Sequence, residues 1–303
     1  MSHTISPATN KSYGLKRACQ VFGVARSTIY RRKMKDLKSP LLKRGPKPVI
    51  SDKELLEKIR EDIKISPFKG EGHRKVHARL KRQDITVGRN RVLKVMRDNQ
   101  LLSPYRKAYR PPNPHDGRIT TDAPDVMWGS DGTKVRTVDD GLIWIFSVAD
   151  HWNTECLGWN VCKVGDRFAA FEPISQAVKT IYGCLNKGVA KGLKLRIDNG
   201  AQYTSDYFLK QLAYLGIEDS FGLVRQPETN GVAERFHRTL KEQIINGRIF
   251  KNVDEVKEAV KGFAAIYNEK WLVEKRGHQS PREARRNYIN DMVTRCEQNI
   301  ETI

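Results

Sequence analysis

The sequence predicts an α/β core, a mixed sheet with flanking helices, preceded by all-α helix-turn-helix units. Three observations carry that expectation. Short helical patterns rich in Lys and Arg occupy the first 103 residues. Proline-rich stretches punctuate the chain at 35–50 and 103–124. From 125 onward the pattern changes from helical to extended, first as three meandering strands and then as strand–helix alternation, the arrangement of a mixed sheet covered by helices.

Charge separates the same two parts. The 303 residues include 55 Lys+Arg and 35 Asp+Glu, a formal net charge of +20. Residues 1–120 contain 30 basic and 10 acidic side chains, whereas residues 121–303 contain 25 of each, so all the excess lies in the first two fifths. A polyanion-binding module joined to a neutral one has this distribution, because phosphate contacts by Lys and Arg supply most non-specific nucleic-acid affinity. A membrane-surface role is disfavoured, since the basic residues are interleaved with helical core patterns instead of massed on one amphipathic face. No apolar run of about 18 residues exists, and MSHTISPATNKSYG lacks the pattern of a signal peptide. Cys19, Cys156, Cys162, Cys184 and Cys296 form no C-x-x-C pair and read as reduced thiols of a cytoplasmic protein. His73 and His77 are spaced as half of a zinc site, but the cysteine half is missing, which favours two histidines one turn apart on a helix.

Five segments follow. Residues 1–50 contain a helix with an Ala18/Phe22 stripe, a break at Gly23, then a second helix carrying Arg26, Ser27, Thr28, Tyr30 and Arg31. That order is a helix-turn-helix whose second helix reads DNA, the alternative being a generic helical hairpin. The stretch 35–50, with three prolines and five basic residues, reads as a solvated linker. Residues 51–103 form a second helical DNA-binding domain. It opens on a Ser51-x-x-Glu54 capping box, continues in a Leu55/Ile59/Ile63 stripe, and adds short basic helices at 73–82 and 89–102. Residues 104–124 are a Pro-rich linker, 125–250 the core, and 251–303 a C-terminal helical extension.

Within the core, strands are expected at 126–138, 142–150 and 155–162, with Asp139-Asp140-Gly141 as a hairpin turn. LIWIFSVAD, at 142–150, is apolar enough for a central strand buried on both faces. A helix over 166–185 should be interrupted near Pro173. Strand 193–197 precedes a helix over about 205–215, a short strand near 217–220, and a long helix over about 230–247.

Three acids stand out. Asp198 ends a short apolar strand before an Asn199-Gly200 turn, a position that suits a metal ligand or an ordinary turn. Asp131 lies mid-strand in an apolar segment, where an acid is costly without a partner or a metal. On the last long helix Val232, Phe236, Leu240 and Ile244 recur every four residues and should face the core. Glu234 lies about 200° from Val232, on the face shared by His237, Arg238 and Lys241. It is either an exposed partner of Arg238 or a carboxylate beside a basic track. Three carboxylates on three elements could converge on two Mg²⁺ ions about 3.5–4 Å apart, the arrangement that drives phosphoryl transfer.

WGSDGTKV, RIDNGAQYTS and PETNGVAERFHRTLKEQ, in that order, resemble the three motifs of the integrase core. This is the DDE domain with a ribonuclease-H-like fold, shared by retroviral integrases and bacterial insertion-sequence transposases. The likeness extends over roughly 120–285, and 35 residues separate Asp198 from Glu234, the family's spacing. YNEKW and SPREARR resemble the tail of the same domain. Residues 15–102 resemble the N-terminal regions of transposases made from two overlapping frames, of which this would be the downstream, catalytic one. Arg196-Ile197 stands where those elements usually have His-Ser, and Gly132 after the first acid is unusual. The zinc-binding head of a retroviral integrase is incomplete.

The resemblance implies that Asp131, Asp198 and Glu234 are catalytic and hold two Mg²⁺ ions, with Mn²⁺ able to substitute. It implies that Lys241, seven residues past Glu234, contacts DNA ends, with Arg238 beside it. The expected partners are double-stranded DNA, as element ends and target, further copies of the chain assembled on that DNA, and an upstream-frame helix-turn-helix protein. Asp150 is the strongest rival acid and is expected to brace the site, while Gln202 and Tyr203 either position DNA or serve the fold. The function implied is DNA transposition by strand cleavage and strand transfer. An inactive transposase-derived regulator and a plain metal-dependent nuclease are the alternatives.

Overall fold

The computed structural model describes residues 3–37, 49–104, 120–221 and 230–300. The chain divides into two compact units, Met1–Val49 and Ile50–Ile303. In the first, α1 (Gly14–Val21) and α2 (Arg26–Leu37) flank a short turn. The turn is closed by backbone bonds from Phe22 N to Ala18 O (3.1 Å) and from Val24 N to Cys19 O (3.0 Å). The expected stripe has the right period, yet Phe22 is 58% exposed and Cys19 is the buried position. The linker expected at 35–50 lies, from 38 to 48, outside the described residues.

The second unit begins with three helices, α3 (Asp52–Ile65), α4 (His73–Arg82) and α5 (Arg89–Asp98). They close around Leu55, Ile59, Val76, Leu80, Val92, Val95 and Met96. The capping box forms in both directions, Ser51 N donating to Glu54 Oε2 at 2.8 Å and Glu54 N to Ser51 Oγ at 3.1 Å. Ile63 is not part of the stripe. It is exposed, and Asp62 is buried in its place. The reason is Arg79 of α4, whose guanidinium donates to both Asp62 oxygens, at 2.8 Å from Nε to Oδ1 and 2.8 Å from Nη2 to Oδ2. A two-pronged charged pair of this kind makes burial of an acid tolerable. Of the linker expected over 104–124, residues 105–119 lie outside the described set.

The remaining elements are β1 (Met127–Arg136), β2 (Leu142–Asp150), β3 (Cys156–Cys162), α6 (Arg167–Tyr182), β4 (Lys194–Ile197), α7 (Asp206–Leu215), β5 (Glu218–Phe221), α8 (Gly231–Leu240), α9 (Val253–Lys270) and α10 (Pro281–Ile300). The strands form one mixed sheet in the order β3-β2-β1-β4-β5. β1 is antiparallel to β2 and parallel to β4. Both faces are covered. Trp128, Phe146, Val148, Leu195 and Ile197 pack in one core with residues of α6 and α7. Val135, Ile143, Ile145 and Val161 pack in a second core with residues of α8 and α9. β2 supplies Ile143 and Ile145 to one side and Phe146 and Val148 to the other, which is why its sequence is apolar almost throughout. The three-helix bundle seats on this second core through Phe68, whose ring meets Trp271 edge-on at 4.9 Å. No described helix is long and apolar enough to cross a membrane.

Two helices depart from expectation. α6 runs unbroken through Pro173. Proline removes the N–H that would reach the carbonyl of Ala169, and Asn160 of β3 donates its Nδ2 to that carbonyl instead, at 3.0 Å. Gly158 makes the close approach possible: a Cβ there would lie 2.0 Å from the Pro173 carbonyl oxygen. The expected helix over 230–247 is α-helical only to Leu240, then widens into a π-helical turn at Lys241–Ile245. Asn246 N closes it on Lys241 O at 2.7 Å. The wider turn lets the adjacent Ile244 and Ile245 both pack on the second core.

Gly158→Ala should therefore destabilise the protein by about 2–3 kcal/mol through overpacking. Gly262→Ala, in the exposed interior of α9 with nothing near its added Cβ, should stabilise it by about 0.5–1 kcal/mol. Urea denaturation of the two variants beside wild type checks both signs.

Candidate functional site

β1 carries the first candidate acid and decides where it points. Trp128 belongs to the α6/α7 core and Val135 to the α8/α9 core, so strand alternation turns Gly129, Asp131 and Thr133 toward the α8 side. Asp131 is mostly covered there and its oxygens are held. Oδ1 accepts the Gly132 N–H at 2.8 Å, and Oδ2 lies 3.2 Å from His237 Nδ1. A carboxylate only accepts, so Nδ1–H is directed at Asp131. The other ring nitrogen, Nε2, lies 2.8 Å from Ser147 Oγ. Ser147 is the residue directly opposite Asp131 on β2. The unusual Gly132 has a packing cause, since a Cβ there would meet the Phe146 ring at 2.6 Å.

Asp198 follows β4 by one residue. The β1–β4 register pairs Met127 with Lys194, Trp128 with Leu195 and Gly129 with Arg196. Carried on by two residues, it brings Asp198 level with Asp131 and on the same face. Asp198 is exposed, and its Oδ1 accepts the Gly200 N–H at 2.9 Å. The turn chemistry read from Asn199-Gly200 is thus present, and it orients the carboxylate. Tyr203 senses both acids. Burial pushes its hydroxyl up from the usual range, the Ser130 hydrogen bond opposes this, and the charges of Asp131 and Asp198 add to the rise.

α8 brings the third acid. Its N-cap Asn230 donates Nδ2 to Ser130 O of β1 at 2.8 Å. Asn230, Glu234, His237 and Lys241 are spaced i, i+4, i+7, i+11, one stripe along the helix. A groove of about 340 Å³ is lined by Asp131, Thr133, Glu234, His237, Arg238 and Lys241, among others. Asp131, Glu234, Arg238 and Lys241, four of the predicted residues, line this groove, and Asp198, directly after the neighbouring strand, is not among the lining residues. Arg26, Ser27, Thr28, Tyr30 and Arg31 are exposed on α2 in the first unit.

One expectation is corrected, at Asp150, and two other residues take places that the sequence left open. His237, on the helix face shared with Glu234, turns to the sheet. It is 4% exposed and bridges β1 and β2. The one sequence signal for it is Ser147, a polar residue in a strand that is otherwise nearly all apolar. Of the two readings of Tyr203, the one in which it serves the fold is borne out. It is fully buried, edge-on to Phe146 and Phe208, with its hydroxyl 3.2 Å from Ser130 Oγ. Asp150 does not brace the groove. It pairs across from Trp128, three residues from Asp131, and accepts the Asp125 and Trp152 N–H groups. Arg285 of α10 binds Asp150, Asp125 and Glu155 together. Burial pushes Asp150 up to about 6, with the Asp125 N–H and Arg285 acting against it.

The donor set of Asp131, Asp198 and Glu234 is all carboxylate oxygen, which suits a hard divalent cation such as Mg²⁺. Among the described residues, no three His, Cys, Asp or Glu side chains are close enough together to grip one ion.

A family model for the integrase core domain matches residues 215–281, and one for an HTH-like domain matches residues 51–109. Transposase InsD for insertion element IS2A/D/F/H/I/K of Escherichia coli is 30% identical over 223 residues, covering 70% of this chain and 72% of its own. This chain belongs to the insertion-sequence transposases. The transposase for insertion sequence element IS629 of Shigella sonnei is 25% identical over 292 residues, covering 92% of this chain and 93% of its own. Among solved structures, the catalytic core domain of BIV integrase aligns with 56% of this chain and 98% of its own, at 22% identity and a TM-score of 0.41. In this transposase the HTH-like match falls on α3–α5, not on α1 and α2.

His237→Ala should strand the Ser147 hydroxyl and leave Asp131 unbraced, at a cost of about 1–3 kcal/mol in urea denaturation. Asp150 makes a prediction in pH. Its folded value near 6 lies above the ordinary carboxylate value of about 3.9. Its contribution to stability is thus fully present below about pH 4 and is lost as pH rises through about 6. Asp150→Asn should remove that slope, read as the wild-type-minus-variant difference in unfolding free energy between pH 4 and 7.

Proposed function

We propose that this transposase cuts the ends of a mobile DNA element and joins the freed 3′-hydroxyl to target DNA, with Asp131, Asp198 and Glu234 as its catalytic carboxylates. The observation that carries this reading is the level placement of Asp131 and Asp198 on one sheet face, with Glu234 in the same groove as Asp131. Two Mg²⁺ ions, or Mn²⁺ in their place, would supply charge that activates the attacking oxygen and stabilises the leaving one. In the first step water opens a phosphodiester and leaves a 3′-hydroxyl. In the second that hydroxyl attacks a target phosphodiester, which releases a 3′-hydroxyl in turn.

The chain's own residues set the geometry. His237 and the Gly132 N–H fix Asp131, the Asp198 turn fixes its carboxylate, and Asn230 with His237 fastens α8 so that Glu234 holds its place. Lys241 lies about 20° around the helix from Glu234 and about 10.5 Å along it, which suits a phosphate a few nucleotides from the cut, with Arg238 alongside. On this reading residues 1–50 and 51–103 hold DNA, with Arg26, Ser27, Thr28, Tyr30 and Arg31 presented by α2. Residues 125–250 carry the chemistry, and 251–303 extend it. Copies of the chain assemble on paired ends, with an upstream-frame helix-turn-helix protein as a further partner.

Purified protein incubated with labelled element ends, Mg²⁺ and a target plasmid should yield joined products. Cutting without joining would make it a nuclease, and binding without either would make it a regulator. Lys241→Glu should lower joining on the order of tenfold and weaken binding to the element's ends more than to random DNA. Equal joining at equal folded concentration would reduce Lys241 to a surface residue.

A further inference from the structure

A cleft of about 760 Å³ opens between α4, α5 and the turn before α10. Arg74, His77, Lys81, Arg82, Arg89 and His278 line it, and neither Asp nor Glu is among its lining residues. Pockets for small organic ligands are lined mainly by apolar and aromatic side chains, whereas here Ala78 is the one apolar side chain in the lining. Two of the cations are committed to building the cleft. Arg74 pairs with Glu274, and Arg82 pairs with Glu283 and donates to the His278 carbonyl at 2.8 Å. Lys81 and Arg89 are exposed, and no described carboxylate pairs with either. Desolvation lowers both His73 and His278; Arg74 and Arg89 add to it at His73, while at His278 Glu274 opposes it and Lys75, His77 and Arg74 act with it.

The turn that completes the cleft is fastened on its other side to the catalytic sheet. Lys275 Nζ donates to the His151 carbonyl, and Arg276 Nε donates to the Trp152 carbonyl at 2.9 Å. Those residues directly follow β2. A polyanion held in the cleft would therefore keep a fixed relation to the sheet that carries Asp131.

We propose that this cleft seats the sugar–phosphate backbone of duplex DNA outside the segment that is cut, with Lys81 and Arg89, which pair with no described carboxylate, as its two phosphate contacts. The site is composite, made by the HTH-like bundle together with the segment before α10. Its identification with DNA, as opposed to another polyanion, rests on the transposase reading above.

The test uses the full chain and a labelled duplex without divalent metal, with affinity measured from 50 to 200 mM salt. Each phosphate contact contributes about 0.9 to the slope of log affinity against log salt. The Lys81→Gln/Arg89→Gln double variant should lose close to two such contributions and bind on the order of tenfold or more weakly at the higher salt. A Lys187→Gln/Lys191→Gln control, equal in charge change and exposed elsewhere on the same unit, should keep the wild-type slope. A double variant that matches wild type overturns the cleft and leaves the transposase reading standing. A control that loses as much as the double variant also overturns it, since any surface charge would then serve. Wild type that shows no salt-dependent binding overturns both.

Discussion

The parallel pairing of β1 with β4 is the constraint on which the candidate site depends. Three residue pairs, from Met127↔Lys194 to Gly129↔Arg196, set the level of Asp198 against Asp131. On its other edge β1 is locked antiparallel to β2 over nine pairs, Trp128↔Asp150 to Arg136↔Leu142, so it cannot slide. A slip of one residue would turn Asp131 into the core around Trp128 and expose Trp128 to the α8 side. Both faces of β1 are packed, one against Phe146 and the other against α8, and each core resists that slip separately.

α8 is held to this strand by polar contacts more than its sequence suggests. Its apolar side, Phe236 and Leu240, enters the second core. Its N-terminus is tied by Asn230 to the Ser130 carbonyl, and its second turn by His237 to Asp131 and Ser147. A helix fastened on two sides cannot roll, and a roll would carry Glu234 out of the groove. The same economy holds at the other end of the sheet, where Arg285 gathers Asp125, Asp150 and Glu155 and fixes α10 to the end of β2. The buried acids Asp62, Asp150 and Glu155 each pair with an arginine, whereas Asp131, partly accessible, is held by a histidine.

Much of this was legible in the sequence where the cause is local. The capping box at Ser51, the hairpin at Asp139–Gly141 and the two-sided burial of LIWIFSVAD follow from residues a few positions apart, and all are present. So is the strand expected at 193–197, with Asp198 directly after it. The misses share a different cause. Helical spacing put His237 on the side away from the core, and it does lie there, but that side faces β1 and β2 instead of solvent. Pro173 leaves the Ala169 carbonyl without its helical donor, and Asn160 supplies one from a strand. Asp62 displaces Ile63 from the core because Arg79 reaches it from a second helix. Arg285 gave no signal, since its three acids come from positions 130 or more residues earlier. Each needs a partner that only the tertiary fold provides.

The central claim is that Asp198 acts in catalysis while Asp150, also an aspartate and more deeply buried, serves the fold. Cleavage of labelled element ends with Mg²⁺ by Asp198→Asn and Asp150→Asn, compared at equal folded concentration, tests it directly. The account predicts at least a hundredfold loss for Asp198→Asn, because removing a metal ligand raises the barrier by several kcal/mol, with DNA binding unchanged and Asp150→Asn still cutting. Cleavage by Asp198→Asn above about one hundredth of wild type would contradict it.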